Sequence, residues 1–236
     1  MAKASARTVA ERHKRVEAIL PILRKTYPNA KTSLHHRTAL QLLVAKILSA
    51  QSTDKGVNQV TPNLFRKYRT AEDYARAPEG ELENDIRSTG FYRNKARSLR
   101  AMAKTLVEKY HGQVPRTMDE LTSLAGVGRK TANVVLGNAF HENVGIVVDT
   151  HVARLSQRLG LTTQSNPEKI ELDLMQIVPQ EDWTLWSHLL IFHGRQICTA
   201  RQPRCQECPI LNHCPSGPKI LAERGVAAKS MVTALK

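Results

Sequence analysis

Residues 124–133 read LAGVGRKTAN, and this stretch decides the fold. The pattern before it predicts a short helix that ends at Gly126, and apolar residues at helical spacing after it predict a second helix. The Gly-Val-Gly turn between them allows only a tight hairpin, and glycine lets other groups approach the backbone closely. Because the second helix opens with Arg129, Lys130 and free N–H groups, its start would attract an anion such as phosphate. An ordinary helical hairpin with a solvated basic turn fits the same residues equally well.

The composition favours a polyanionic partner. The 236 residues contain 35 Lys and Arg against 21 Asp and Glu, a formal net charge of +14. Such a surplus is typical of proteins that bind nucleic acid. A membrane partner is not expected, because the chain has no run of about 18 consecutive apolar residues. All four cysteines fall within residues 198–214, which favours a reducing compartment, so we expect a cytoplasmic protein, nucleoid-associated if bacterial.

Apolar spacing along the chain predicts helices and almost no strands. Residues 38–50 are apolar on nearly every side, which predicts a central buried helix. Pro21 would kink or split the first helix, and periodicity cannot assign the apolar run 145–148. Besides the hairpin, the predicted helices cover residues 8–27, 38–50, 55–68, 79–88, 94–110, 150–159, 167–177 and 181–193. The sequence therefore predicts an all-α protein.

The cysteines predict a metal centre. They follow the spacing C-x6-C-x2-C-x5-C, at Cys198, Cys205, Cys208 and Cys214. Four thiolates this close in sequence can converge, and a metal would hold their charge. The uneven loops favour an iron–sulfur cluster over zinc by a small margin, because the irons of a cubane spread the ligands further apart than one ion does. Two disulfides are a third, minor alternative.

Two arginines, Arg201 and Arg204, lie in the loop between the first two cysteines. A loop held rigid by a metal centre would present them to a phosphate. Solvated loop charge explains these two residues equally well.

A lysine and an aspartate form the candidate chemistry. Asp149 follows an apolar run, so it is an N-cap for the next helix, a partly buried functional acid, or both. A neutral Lys130 could attack a sugar carbon and form a Schiff base. A nearby carboxylate could then stabilise an oxocarbenium ion or assist proton transfer. We expect burial and the adjacent Arg129 to favour the neutral amine.

Three motifs together resemble one family. Residues 124–130 (LAGVGRK), residues 148–152 (VDTHV) and the cysteine spacing are similar to the endonuclease III family of the helix-hairpin-helix DNA glycosylase superfamily. The resemblance extends from about residue 15 to residue 218. It implies two helical domains with a DNA-binding cleft between them, a helix-hairpin-helix motif, and a [4Fe-4S] cluster on the four cysteines of a C-terminal loop.

The same resemblance implies domain boundaries. The expected parts are a six-helix domain at 33–143, an iron–sulfur domain formed by 1–32 plus 144–218, and a basic tail at 219–236. The expected partner is double-stranded DNA with a damaged base or an abasic site, and the expected state is a monomer.

The resemblance also implies which residues contact DNA. The hairpin backbone at Gly126 and Gly128, with Arg129 beside it, would hold a phosphate. Gln51 would fill the gap that a flipped base leaves. Phe91 occupies a wedge position usually held by an aliphatic residue, and this departure leaves the opposite-base preference open.

The implied reaction is base excision followed by strand cleavage. Lys130 would attack C1′ of an oxidised pyrimidine nucleotide of the thymine glycol class and displace the base, with Asp149 assisting. The Schiff base would then permit AP lyase β-elimination.

The sequence alone leaves other functions open. The adenine-specific branch of the superfamily lacks the lysine, and the 8-oxoguanine branch generally lacks the cluster, so a different base specificity is one alternative. A non-catalytic DNA-binding protein with a structural metal would need neither Lys130 nor Asp149. An electron-transfer ferredoxin would explain the cysteines but not the net charge of +14.

Overall fold

The computed structural model describes residues 8–224, and the regular structure in that range is entirely helical, so the all-α prediction is confirmed. The basic residues 225–236 of the predicted tail lie outside the described residues, as do residues 1–7. The α-helices are α1 (Val9–Thr26), α2 (Ala39–Leu48), α3 (Asp54–Lys67), α4 (Ala71–Ala75), α5 (Glu81–Asp85), α6 (Tyr92–Tyr110), α7 (Met118–Ser123), α8 (Arg129–Ala139), α9 (Thr150–Arg158), α10 (Pro167–Met175), α11 (Trp183–Gln196) and α12 (Gly217–Glu223). Short 3₁₀ helices cover Arg87–Thr89, Gln180–Asp182, Cys205–Glu207 and Leu211–His213.

The described chain divides into two compact units. Thr32–Val144 forms one unit and contains α2 to α8, and the described residues on either side form the other, with α1 and α9 to α12. In the first unit, α4 and α5 each contain only five residues. The sequence pattern missed α4, because a helix this short does not show its periodicity.

Helix α2 lies at the centre of the unit Thr32–Val144. Leu42, Leu43 and Val44 are fully buried, and the helix packs against α3, α6 and α8. Thr38 caps its start by accepting a hydrogen bond from the backbone N–H of Gln41. The predicted central buried helix is therefore confirmed, and it supports the hairpin helix α8.

The core of the other unit is built by α1, α9, α10 and α11, whose apolar faces meet around the fully buried Trp186. Helix α1 continues through Pro21, so it is not split. Pro21 is exposed, whereas Ile19 and Leu23 are fully buried. Burial of this apolar face compensates for the backbone hydrogen bond that proline cannot make.

The unassigned run 145–148 has no regular structure, and its apolar side chains are buried. The N–H of Val147 donates to Ser187 Oγ at 3.0 Å, which anchors the run on α11. The run leads directly into α9 and so fixes where Asp149 stands. Among the described residues, no helix is both long and apolar enough to cross a membrane.

Candidate active site and metal centre

The hairpin between α7 and α8 has the geometry that its glycines predict. Leu124 and Val127 are buried and anchor the turn, and the N–H of Val127 donates to Leu124 O at 3.1 Å. Gly126 has a φ of +77°, and a Cβ there would lie 3.0 Å from the Cβ of Ser98. Gly128 is the N-cap of α8, and no side chain caps this helix. The turn therefore presents backbone N–H groups at an exposed helix start.

Lys130 is the second residue of α8, and its side chain is exposed, as is that of Arg129. The expected burial of Lys130 is therefore wrong. Lys130 lies in the first turn of α8, directly after the exposed Gly128, where the rest of the folded unit does not cover it. The amine is therefore accessible to a large substrate.

Asp149 is the N-cap of α9. Its Oδ1 accepts hydrogen bonds from the N–H groups of His151 at 2.8 Å and Val152 at 2.9 Å. The residue is half-buried. Both predicted features, the cap and the partial burial, are therefore present in one carboxylate. Lys130 belongs to the unit Thr32–Val144 and Asp149 to the other unit.

Gln51 and Phe91 share an unusual backbone conformation. Their φ angles are +53° and +47°, in the left-handed region that residues other than glycine rarely adopt. Gln51 is exposed, and the Phe91 ring is 63% exposed although it is large and apolar.

The sequence analysis missed Lys95, whose buried amine joins the two loops that carry Gln51 and Phe91. The sequence did contain a signal for this residue, because Lys95 falls on the buried face of the amphipathic helix α6.

The structure brings the four cysteines around one cavity, which Cys198, Cys205, Cys208 and Cys214 line together. All four are free, so the disulfide alternative is wrong. Among residues 8–224 no group of three or more Cys, His, Asp or Glu converges as a single metal ion requires. A cubane cluster does not require its four ligands to converge on one point, because each thiolate binds a different iron.

The chemistry around the cysteines fits an iron–sulfur cluster. Burial raises the pKa of Cys208 to about 12, and it also raises the pKa of Cys205 and Cys214. A raised pKa disfavours the free thiolate, and a metal that takes up the negative charge reverses this preference. Backbone hydrogen bonds lower the pKa of two of these cysteines, from Ile210 to Cys208 and from Ser216 and Gly217 to Cys214. Such donors stabilise negative sulfur.

Arg158 and His193 form the second layer around the cysteines. Nη1 of Arg158 donates to Cys198 Sγ at 3.2 Å and to Thr199 O at 2.8 Å. Nε2 of His193 lies 3.5 Å from Cys208 Sγ, and its Nδ1 lies 2.9 Å from the hydroxyl of Tyr27. Desolvation lowers the pKa of His193 to about 4. The helices of this unit therefore hold the cysteine loop through polar contacts as well as apolar packing.

Arg201 and Arg204 are both exposed in the cysteine loop. Nη1 of Arg204 forms a surface ion pair with Glu207 at 2.9 Å, and its Nη2 donates to Gln196 O. The backbone carbonyl of Arg201 accepts from Arg224 at 2.7 Å. The Arg204 guanidinium thus contacts both the cysteine loop and the end of α11, whereas the Arg201 side chain is exposed to solvent.

Comparison with known families decides the identity. Residues 44–180, more than half of the chain, match the profile described as HhH-GPD superfamily base excision DNA repair protein. This chain belongs to the HhH-GPD superfamily. Residues 198–214 match the iron-sulfur binding domain of endonuclease III, and this match begins and ends on a cysteine.

Individual relatives of this HhH-GPD chain are similar over almost its whole length. The endonuclease III of Synechocystis sp. is 51% identical over 210 residues, which cover 89% of this chain and 96% of that protein. The endonuclease III of Bacillus subtilis is 48% identical over 207 residues, with 87% and 94% covered. A solved non-covalent endonuclease III–DNA complex has a TM-score of 0.84 and 47% identity, and the match covers 89% of this chain and 98% of that one. A trapped covalent endonuclease III–DNA intermediate has a TM-score of 0.83, with 47% identity and the same coverage.

These findings confirm the predicted family, the glycosylase and AP lyase class of enzyme, and the [4Fe-4S] cofactor. The HhH-GPD chain is a base-excision repair DNA glycosylase that carries an iron–sulfur cluster. The non-catalytic and electron-transfer alternatives are set aside, because neither accounts for relatives of this similarity over almost the whole chain.

Proposed function

We propose that this protein removes oxidised pyrimidines of the thymine glycol class from duplex DNA and then cleaves the strand at the abasic site. The observation that carries the proposal is the exposed amine of Lys130 at the start of a helix that no side chain caps. A relative, endonuclease III, has been solved as a trapped covalent intermediate with DNA. An accessible lysine amine is the group that forms such a covalent bond with a sugar.

The hairpin binds the phosphate backbone. Gly126 and Gly128 carry no side chain, so a phosphate can approach their N–H groups closely. The dipole of α8 and the guanidinium of Arg129 favour the negative charge at this point. These contacts set the position of the duplex without reading its sequence.

The exposed side chains of Gln51 and Phe91 stabilise DNA from which a base has been extruded. Extrusion costs a few kcal/mol and is least costly for a damaged base. Gln51 offers an amide that can hydrogen-bond to the base left without its partner. The Phe91 ring can insert as an apolar wedge and stack on an adjacent base.

The chemistry proceeds through Lys130. Its neutral Nζ forms a bond to C1′ while the bond from C1′ to the base breaks, and the base leaves with the bonding electrons. Asp149 stabilises the positive charge on the sugar and takes up the proton that the amine loses. Ring opening gives the Schiff base, loss of a C2′ proton then expels the 3′ phosphate, and water finally releases the lysine.

Cys198, Cys205, Cys208 and Cys214 are the residues that would hold the [4Fe-4S] cluster. When bound, the cluster neutralises four thiolates and cross-links the segment 198–214. Arg158 stabilises Cys198 through its N–H···S contact. A segment fixed in this way presents Arg201 and Arg204 to DNA phosphates.

We also propose that the protein acts as a cytoplasmic monomer, nucleoid-associated in a bacterial cell. Four reduced cysteines support a reducing compartment. The division of the described chain near residues 31 and 144 supports the domain ranges 33–143 and 1–32 plus 144–218.

Borohydride trapping on a duplex that contains thymine glycol tests the proposed function. The wild type should give a covalent protein–DNA complex, and Lys130→Gln should give none. Lys55→Gln is the matched control, because Lys55 is also an exposed second residue of a helix, α3. A cross-link that survives in Lys130→Gln, or one that is lost equally in Lys55→Gln, would remove Lys130 from this role.

A further inference from the structure

A buried ammonium group connects the loops that carry Gln51 and Phe91. The Lys95 side chain is 5% exposed, and its Nζ donates to Leu48 O, Ser52 Oγ and Thr89 O, each at 2.7 Å. The Ser52 hydroxyl also donates to Thr89 O. Leu48 and Ser52 flank the loop of Gln51, and Thr89 lies two residues before Phe91. One side chain therefore fixes both loops with three hydrogen bonds.

The two loops need such a constraint. Gln51 and Phe91 both have positive φ angles, a conformation that persists only where the surrounding structure enforces it. The N–H of Lys95 also donates to Phe91 O at 3.1 Å, so the backbone and the side chain of Lys95 hold the same loop. The Phe91 ring itself is exposed, and no buried packing explains its conformation.

A lysine suits this position better than an apolar residue. Leu48 O belongs to the last residue of α2, where backbone carbonyls lack helical partners and the helix dipole is negative. Thr89 O ends the short 3₁₀ helix Arg87–Thr89. An ammonium group donates to both carbonyls and to the serine hydroxyl, whereas an apolar side chain would leave Leu48 O without this donor and Thr89 O with only the Ser52 hydroxyl. Desolvation lowers the pKa of Lys95, which is consistent with its burial.

We propose that Lys95 is a positioning residue for base extrusion. It holds the Gln51 loop at a fixed distance from the Phe91 loop, so that both side chains enter the duplex together. The inference rests on the proposed function, because it assumes that these two side chains contact the extruded site. Because Lys95 itself is buried, it acts through these two loops and not directly on the DNA or the reacting atoms.

The test compares borohydride trapping on two oligonucleotides that contain thymine glycol, one in a duplex and one single-stranded. Trapping on the single strand requires no extrusion from a stack, so the ratio of the two rates isolates the positioning step. Lys95→Met removes the ammonium, and Ser52→Ala removes one of its acceptors. Arg100→Met is the matched control on the same helix, since Arg100 also donates to loop carbonyls, at Ala77 and Pro78.

We expect Lys95→Met to lower the duplex-to-single-strand ratio by about 10- to 100-fold, the effect of a displacement near 1 Å. Ser52→Ala should lower the ratio less, and Arg100→Met should keep the wild-type ratio even if it lowers the melting temperature. If Lys95→Met does not fold, the ratio measured for Ser52→Ala tests the inference alone. A wild-type ratio in every variant that folds, of Lys95→Met and Ser52→Ala, would overturn the inference. A wild type that is trapped on neither oligonucleotide would instead overturn the proposed function, and the inference with it.

Discussion

At the scale of single residues, Asp149 combines a helix cap, which the structure shows, with the acid role that we propose for it. Its Oδ1 accepts from two N–H groups at the start of α9, and these bonds fix the direction of the carboxylate. The buried run before it, which ends at Val148, fixes the backbone position. The cap is therefore part of how the acid is oriented.

We predict that Asp149→Asn separates the two roles. Asparagine caps a helix about as well as aspartate, so the melting temperature should stay close to that of the wild type. Base excision should fall by about 10²- to 10⁴-fold, because the amide cannot accept the proton. Asp149→Ala should lose the same activity and in addition about 1 kcal/mol of stability. Full excision activity in a folded Asp149→Asn protein would contradict the assigned role.

The sequence predicts residue roles well where the partners are local and poorly where they are distant. The Asp149 cap follows from adjacent residues. The role of Lys95 does not, because its acceptors lie at Leu48, Ser52 and Thr89 and meet only in the folded unit. The expected burial of Lys130 was wrong because burial depends on what surrounds the start of α8 in space, and the residue pattern does not contain that information.

At the scale of secondary-structure elements, the hairpin depends on its two glycines for different reasons. Gly126 has a positive φ and lies against Ser98, so the fold itself requires it. Gly128 has an ordinary φ of −95°, and a Cβ there would meet nothing within 4 Å. Its lack of a side chain therefore matters for what approaches from outside.

We predict that Gly128→Ala keeps the melting temperature and weakens duplex binding by about 10- to 100-fold, the effect of losing one charge-assisted hydrogen bond. Gly126→Ala is the comparison. It should lower the melting temperature, because alanine is strained at the positive φ of this position. Thermal unfolding and fluorescence anisotropy on a lesion duplex measure the two effects. Unchanged DNA affinity in Gly128→Ala would show that the phosphate does not approach this turn.

The elements themselves could largely be predicted, because long amphipathic helices such as α6 and α11 carry their period in the sequence. The helices that were missed, α4 and α12, contain five and seven residues. Helices of this length are stabilised by caps and tertiary packing, and not by a pattern of their own. The cysteine spacing, in contrast, specified a metal centre without any reference to secondary structure.

At the scale of the whole molecule, the net charge of +14 is the feature that the family assignment explains most simply. Positive charge attracts the duplex from a distance and supplies the part of the binding energy that does not depend on sequence. In the proposed function, single contacts at the hairpin then select the bound position.

We predict that the logarithm of duplex affinity falls linearly with the logarithm of salt concentration, with a slope of about −0.9 for each phosphate contacted. Arg129→Gln should reduce the magnitude of that slope by about one, because one phosphate contact is lost. Titrations by fluorescence anisotropy at several salt concentrations measure both slopes. An affinity that does not respond to salt would contradict the electrostatic account of binding.

The most direct test of the central claim is to identify the atom that joins protein to DNA. The complex trapped by borohydride can be digested with protease and nuclease, and mass spectrometry can then locate the sugar remnant. We predict that the remnant is attached to Lys130. A remnant on any other lysine, or on the N-terminal amine, would contradict the claim that the exposed amine at the start of α8 carries out the reaction.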